Sequence, residues 1–145
     1  MPFDIEGWIE VARSPDTSDA HAWFGVVRLS SLVDVADEDT ERLFGLSKLC
    51  VSGKKSVDAL AADRGVPPNP SAQVRRELEE IAAHEAKYGS GEVGGCTFAV
   101  WSEIRAVELT DPPEESQWKL AFALARVLES VFGPERVRFV VWFCW

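Results

Sequence analysis

Asp4 and Glu6 stand two residues apart in a segment that alternates polar and apolar residues, so a strand there places both carboxylates on one face. Carboxylates that close can share a proton or a divalent ion, and they divide acid and base roles when their environments separate their pKa values. Glu103, just past a later strand, is the third member of such a set, and hydrolysis by Asp4, Glu6 and Glu103 is the chemistry it would serve. The plainer reading is a strand whose acidic face meets solvent.

Zinc chemistry is poorly provided for. The histidines are His21 and His84 and the cysteines Cys50, Cys96 and Cys144, with no ligand pair at short spacing. His84-Glu85 begins like a zincin helix, but Tyr88 stands where the second histidine is needed. A site would require the fold to gather His84, Cys96 and Cys144 in space. Cys50 lies near Lys48, Lys54 and Lys55, which would lower its pKa, yet no base adjoins it. Gly89-Ser90-Gly91-Glu92-Val93-Gly94 matches G-x-G-x-x-G in letters, but the glycines follow a predicted helix and precede a strand, the reverse of a dinucleotide-binding turn. No metal and no cofactor is expected.

Tryptophan is abundant, with six in 145 residues. Trp8 shares its strand face with Glu6 and Glu10, which makes Trp8, Glu6 and Glu10 the expected binding surface. A single tryptophan is nevertheless more often core than contact.

These residues are positioned by a readable series of elements. Asp4 to Val11 alternates as a half-buried strand, and Ala22 to Leu29 follows a run of turn formers as its antiparallel neighbour. Asp37 to Glu41 places acid at the start of a helix carrying Leu43 and Phe44, and Lys54 to Ala62 reads as a short helix. The clearest helix runs from Asn69, as cap, and Pro70 to Gly89, with Val74, Leu78, Ile81, Ala82 and Tyr88 on its apolar stripe. Cys96 to Trp101 reads as a third strand, with a short helical turn after it. Asp111 to Glu114 is predicted to cap a last helix whose stripe is Ala121, Leu124, Ala125, Leu128, Val131 and Phe132. Val137 to Cys144 is apolar on both faces except at Arg138, the pattern of an interior strand. The connection before it has crossover length, which predicts that the third and fourth strands are parallel.

Together these predict one α+β (mixed α/β) domain over residues 1–145: a small central mixed sheet of about four strands, its C-terminal strand buried, covered by two longer amphipathic helices. A hydrophobic content of 46% suits a single core. The net charge of −9 repels phosphate backbones and attracts a basic protein. No apolar run approaches the roughly 20 residues that span a bilayer. The Met1-Pro2-Phe3-Asp4 start has no signal-like region and the cysteines form no C-x-x-C, so a cytoplasmic protein without disulfides is expected.

Four segments carry a resemblance: Met1 to Glu6, Arg64-Gly65-Val66-Pro67, Cys96 to Ile104, and Val137 to Trp145. Their order and spacing resemble an uncharacterised family of small bacterial and phage proteins that open M-G-C-D-I-H, continue through R-G-L-P and G-H-S-W-L-T-x-E-E-L, and end V-R-x-V-F-W-F-D-N. Leu43-Phe44-Gly45 is similar to a further L-F-[AG] of that family. Where the family is polar or reactive, this chain has Phe3, Glu6, Cys96 and Cys144-Trp145, and of any strand-end site only Asp4 and Glu103 carry over directly. The resemblance implies the fold more than an activity. The expected function is an acidic, non-catalytic binding module for a protein partner, in the manner of an immunity or anti-defence inhibitor. A small carboxylate hydrolase and a self-associating structural protein, a homo-oligomer, are the alternatives.

Overall fold

The structure is a computed structural model and describes residues 3–45, 59–109 and 115–145. The expected helix from Lys54 to Ala62 falls largely outside these residues, as do Cys50 and Asp111 to Glu114; the last helix starts only at Lys119 with Trp118 at its N-cap, so its expected cap at Asp111 is corrected. Four strands, β1 (Asp4–Ala12), β2 (Trp23–Arg28), β3 (Val93–Val100) and β4 (Val137–Cys144), form one sheet in the order β2-β1-β4-β3. The helices are α1 (Glu38–Phe44), α2 (Ala72–Tyr88), the single turn α3 (Trp101–Ile104) and α4 (Lys119–Phe132).

The α+β class and the interior place of β4 are as expected. β4 lies between β1 and β3, and Val137 through Phe143 are all buried. Every pairing is antiparallel, however, so the expected parallel relation of β3 and β4 is corrected and the sheet is not mixed. The connection is long enough for either arrangement. The chain leaves the end of β3 through α3, turns back along α4, and re-enters through a 3-10 turn at Pro134–Arg136 that packs against α3. β4 therefore starts where β3 stopped, with Arg138 opposite Val100.

Each sheet face has its own helical cover, which the period-2 alternation demands of central strands. One face presents Ile5, Ile9, Val11, Phe139, Val141 and Phe143 to α4 and α1, through Ala121, Ala125, Leu43 and Phe44. Burying each large apolar side chain there stabilises the fold by about 1.5–3 kcal/mol. Trp101 and Trp118 stack on Phe139 at 6.1 and 6.3 Å between ring centroids. Most buried polar groups in this layer are paired: the Trp118 indole donates to Thr40 Oγ1 at 3.1 Å and the Ser116 hydroxyl to Asp39 Oδ2 at 2.8 Å, whereas the Trp101 indole N–H has no partner among the described residues. Asp37 caps α1 in a reciprocal box with Thr40.

The opposite face packs Val140 and Trp142 against Val74, Leu78 and Ile81 of α2. Ser71, not Asn69, caps this helix, its hydroxyl accepting from the Val74 amide. Asn69 instead takes a left-handed φ of 53° and donates its side-chain amide to the Ser18 carbonyl at 2.8 Å. Gly89 ends α2 with a φ of 95° and leads through Gly91 into β3, a helix-to-strand turn as read from the glycine spacing.

Candidate functional site

Alternation in β1 puts Asp4, Glu6, Trp8 and Glu10 on the face beneath α2, opposite Cys144, Trp142, Val140 and Arg138 of β4. A solvent-facing acidic strand face is thereby corrected, because α2 covers it. Glu10 is fully buried, one carboxylate oxygen accepting from Arg138 Nε at 2.5 Å and the other from the Ser71 amide at 2.7 Å. It ties the sheet to the start of α2 and cannot belong to an exposed binding surface. Trp8 is half-buried, with the Arg28 guanidinium 5.2 Å from its ring. Of the expected trio Trp8, Glu6 and Glu10, Glu6 lines an open cleft among the described residues.

That cleft has a volume of about 340 Å³ and lies where the second half of α2 passes the lower end of the sheet. Its walls carry Glu6, Glu77, Glu80, Glu85 and Glu92. Trp142, Ile81, Val93 and Cys144 supply an apolar lining. Arg28 is the basic residue at the rim, and its guanidinium is engaged by Glu77 at 2.8 Å. His84 Nε2 faces Glu92 Oε2 at 4.0 Å. Burial first, then the charges of Glu77 and Asp4, raise the Glu6 carboxyl above its ordinary pKa, against the pull of Arg28 and a hydrogen bond from Ser30.

The carboxylate set is split. Asp4 and Glu6 remain neighbours at the lower end, but Glu103 lies beyond Val100, at the end of the sheet where Arg138 and Glu10 sit. The intervening strand length is roughly 20 Å, which no side chain spans. A parallel β3 would have delivered Glu103 beside Asp4; the antiparallel one carries it away. Glu103 instead receives both terminal nitrogens of Arg64, at 2.9 and 3.3 Å. Arg64 also donates to the Leu60 and Phe98 carbonyls, so this pair fastens the loop before α2 to the edge of β3.

His84 and Cys144 line the cleft, whereas Cys96 packs into the layer beneath α2. Burial pushes the Cys96 thiol up to about 11. Cys144 is also pushed to about 11, by burial first and then by Glu6, Asp4 and Glu92. Both are thiols at neutral pH, and metal ligation needs the thiolate. Among the described residues no three His, Cys, Asp or Glu side chains are arranged to hold a metal ion. No described helix is long and apolar enough to cross a membrane.

Sequence reasoning passed over Glu77 and Arg28 and met Glu85 only beside His84 in the zincin comparison. The helical spacing of Glu77, Glu80, Ile81 and His84 on one face was a usable signal. Arg28 had none, since its partner lies on α2. Set against known proteins, the chain matches no family model, no curated sequence and no solved structure. The family resemblance rests on the quoted segments alone.

Proposed function

We propose that this chain is a non-catalytic binding module that takes a basic segment of a partner protein into the cleft between α2 and the sheet. The supporting observation is five glutamates around an apolar lining of Trp142, Ile81 and Val93, with Arg28 already engaged by Glu77. A lysine or arginine lays its methylenes on such a lining and sets its charge among the carboxylates. The net charge of −9 steers a basic partner toward the surface and repels nucleic acid. An immunity or anti-defence inhibitor is one module of this kind.

The test is calorimetric titration with a lysine-rich peptide at two salt concentrations, using Glu80→Gln/Glu85→Gln and a remote control, Glu108→Gln/Glu115→Gln. The cleft variant should lose at least roughly tenfold in affinity and the control little, because desolvated partners outweigh distant charges. Equal losses would reduce the interaction to net charge and remove the cleft from it.

A second reading, self-association, is favoured by an exposed apolar row on α4. Leu120, Val127 and Val131 are 53, 62 and 70% exposed, and with Leu124 they follow a four-three-four spacing that suits a facing helix. Sedimentation of the native chain beside Val127→Glu separates the readings: self-association requires a dimer that the charge dissociates.

A further inference from the structure

Arg28 is the last residue of β2 and stands opposite Trp8 of β1, so its side chain emerges on the sheet face that α2 roofs. Its guanidinium lines the acidic cleft, 2.8 Å from Glu77 Oε1 and 5.2 Å from the centre of the Trp8 ring. The two partners of this ion pair are unequally covered: the Arg28 side chain is 54% exposed and that of Glu77 16%. Glu77 Oε1 has no hydrogen-bond partner among the described residues, so charge rather than a directed bond holds the guanidinium beside it. A carboxylate so covered needs a neighbouring cation, because little water is left to compensate its charge. Arg28 supplies that cation from within the chain, and its charge also draws the Glu6 carboxyl down against the effect of burial.

We propose, resting on the cleft as a site for a basic segment, that Arg28 is its internal competitor: it holds the place of a cation in the free protein, and a lysine or arginine of the partner displaces it toward solvent. The exposed side chain of Arg28 is able to leave, since Glu77 engages it through charge alone. A cation that replaces it keeps Glu77 neutralised, so the exchange costs little. A neutral side chain that pushed Arg28 aside would strand a covered carboxylate, so the cleft rejects neutral segments as well as attracting basic ones. The same device lowers affinity, because every basic ligand must outcompete a charge tethered beside the site.

The probe is the lysine-rich peptide, with its lysine-acetylated form as the neutral counterpart. Each is titrated calorimetrically into the parent, Arg28→Gln, Arg28→Lys and a remote control, Arg126→Gln, at an exposed position on α4. Arg28→Gln should tighten the lysine peptide at least roughly fivefold beyond Arg126→Gln, the gain from removing one charge inside the cleft, while Arg28→Lys stays near the parent. In the parent, the assigned side-chain Nε–H resonance of Arg28 should shift saturably with the peptide, and that of Arg64, paired with Glu103, should stay in place. An ion pair that served only to fasten β2 to α2 would lower the thermal midpoint of Arg28→Gln without raising its affinity. Binding to the parent with no gain in Arg28→Gln, or an Arg28 resonance unmoved at saturation, would overturn the competitor and leave the cleft as the site. Absence of binding to both the parent and Arg28→Gln, or equal binding of the acetylated peptide, would remove the basic-segment site itself and the competitor with it.

Discussion

Glu10 and Arg138 face each other across the β1–β4 pairing, and the guanidinium of Arg138 lies 3.8 Å from the Trp23 ring while its Nε–H donates to Glu10. Its terminal nitrogens donate to the Pro68 and Asn69 carbonyls at 3.2 and 3.0 Å. One buried ion pair thus fixes β1, β4, β2 and the entry to α2. Burial pulls the guanidinium below its ordinary pKa and the Glu10 charge opposes that pull.

Arg138→Met should destabilise the protein by about 3–5 kcal/mol, because it strands Glu10 as an uncompensated buried charge. Glu10→Leu/Arg138→Met should recover part of the loss. Recovery stays incomplete, since the Ser71 amide and two carbonyls still lack their partners. Urea unfolding of the three proteins measures both effects.

Gly7→Ala should be among the most damaging single substitutions. Gly7 has a φ of 130°, and an added Cβ would lie 1.9 Å from the Val140 carbonyl oxygen of the neighbouring strand. Strain of this kind costs roughly 1–3 kcal/mol before the clash is counted. A thermal midpoint within a degree or two of the parent would contradict this geometry.

Alkylation should be slow at neutral pH for both described cysteines. In a Cys50→Ser background, the rates at Cys96 and Cys144 followed by mass spectrometry should start low at pH 7 and keep climbing with pH, with no levelling until about 11. Cys144 should react faster than the deeper Cys96 at any pH. Rapid modification at pH 7 would mean that one of the thiols is more acidic than its surroundings allow.

The pH dependence of stability should carry a contribution from Glu6. Its folded pKa is raised, so the folded state holds the proton more tightly than the unfolded chain does. The resulting stabilisation is complete below the ordinary glutamate value and is lost as pH rises through the higher folded value. Glu6→Gln, which keeps the neutral form at all pH, should gain stability relative to the parent above that window and flatten this part of the profile. Denaturant midpoints between pH 4 and 7 decide it; an unchanged profile would mean that Arg28 fully compensates the burial of Glu6.

Much of the frame was legible in the residues because its signals are local. The alternation from Asp4, the stripe of Val74, Leu78 and Ile81, the row of Ala121, Ala125, Leu128 and Phe132 and the unbroken apolar run of β4 each specify an element and its buried side, but Tyr88 and Val131, read into those helix stripes, are 67 and 70% exposed. The candidate sites were legible only in fragments. Glu6 was found by its spacing, but Glu10 looked like a surface acid until Arg138 came opposite it.

What the order of residues decided by itself is which segments become strands and helices, and that Val137 to Phe143 is interior. Tertiary structure alone decided the direction in which β4 joins β3, and with it the separation of Glu103 from Asp4 and Glu6. It also decided that α2 would roof the acidic face. A strand apolar on both sides satisfies its hydrogen bonds in either direction, and a long connection can cross over or double back. The choice rests on how α3 and α4 pack, a relation between distant residues that no local period encodes.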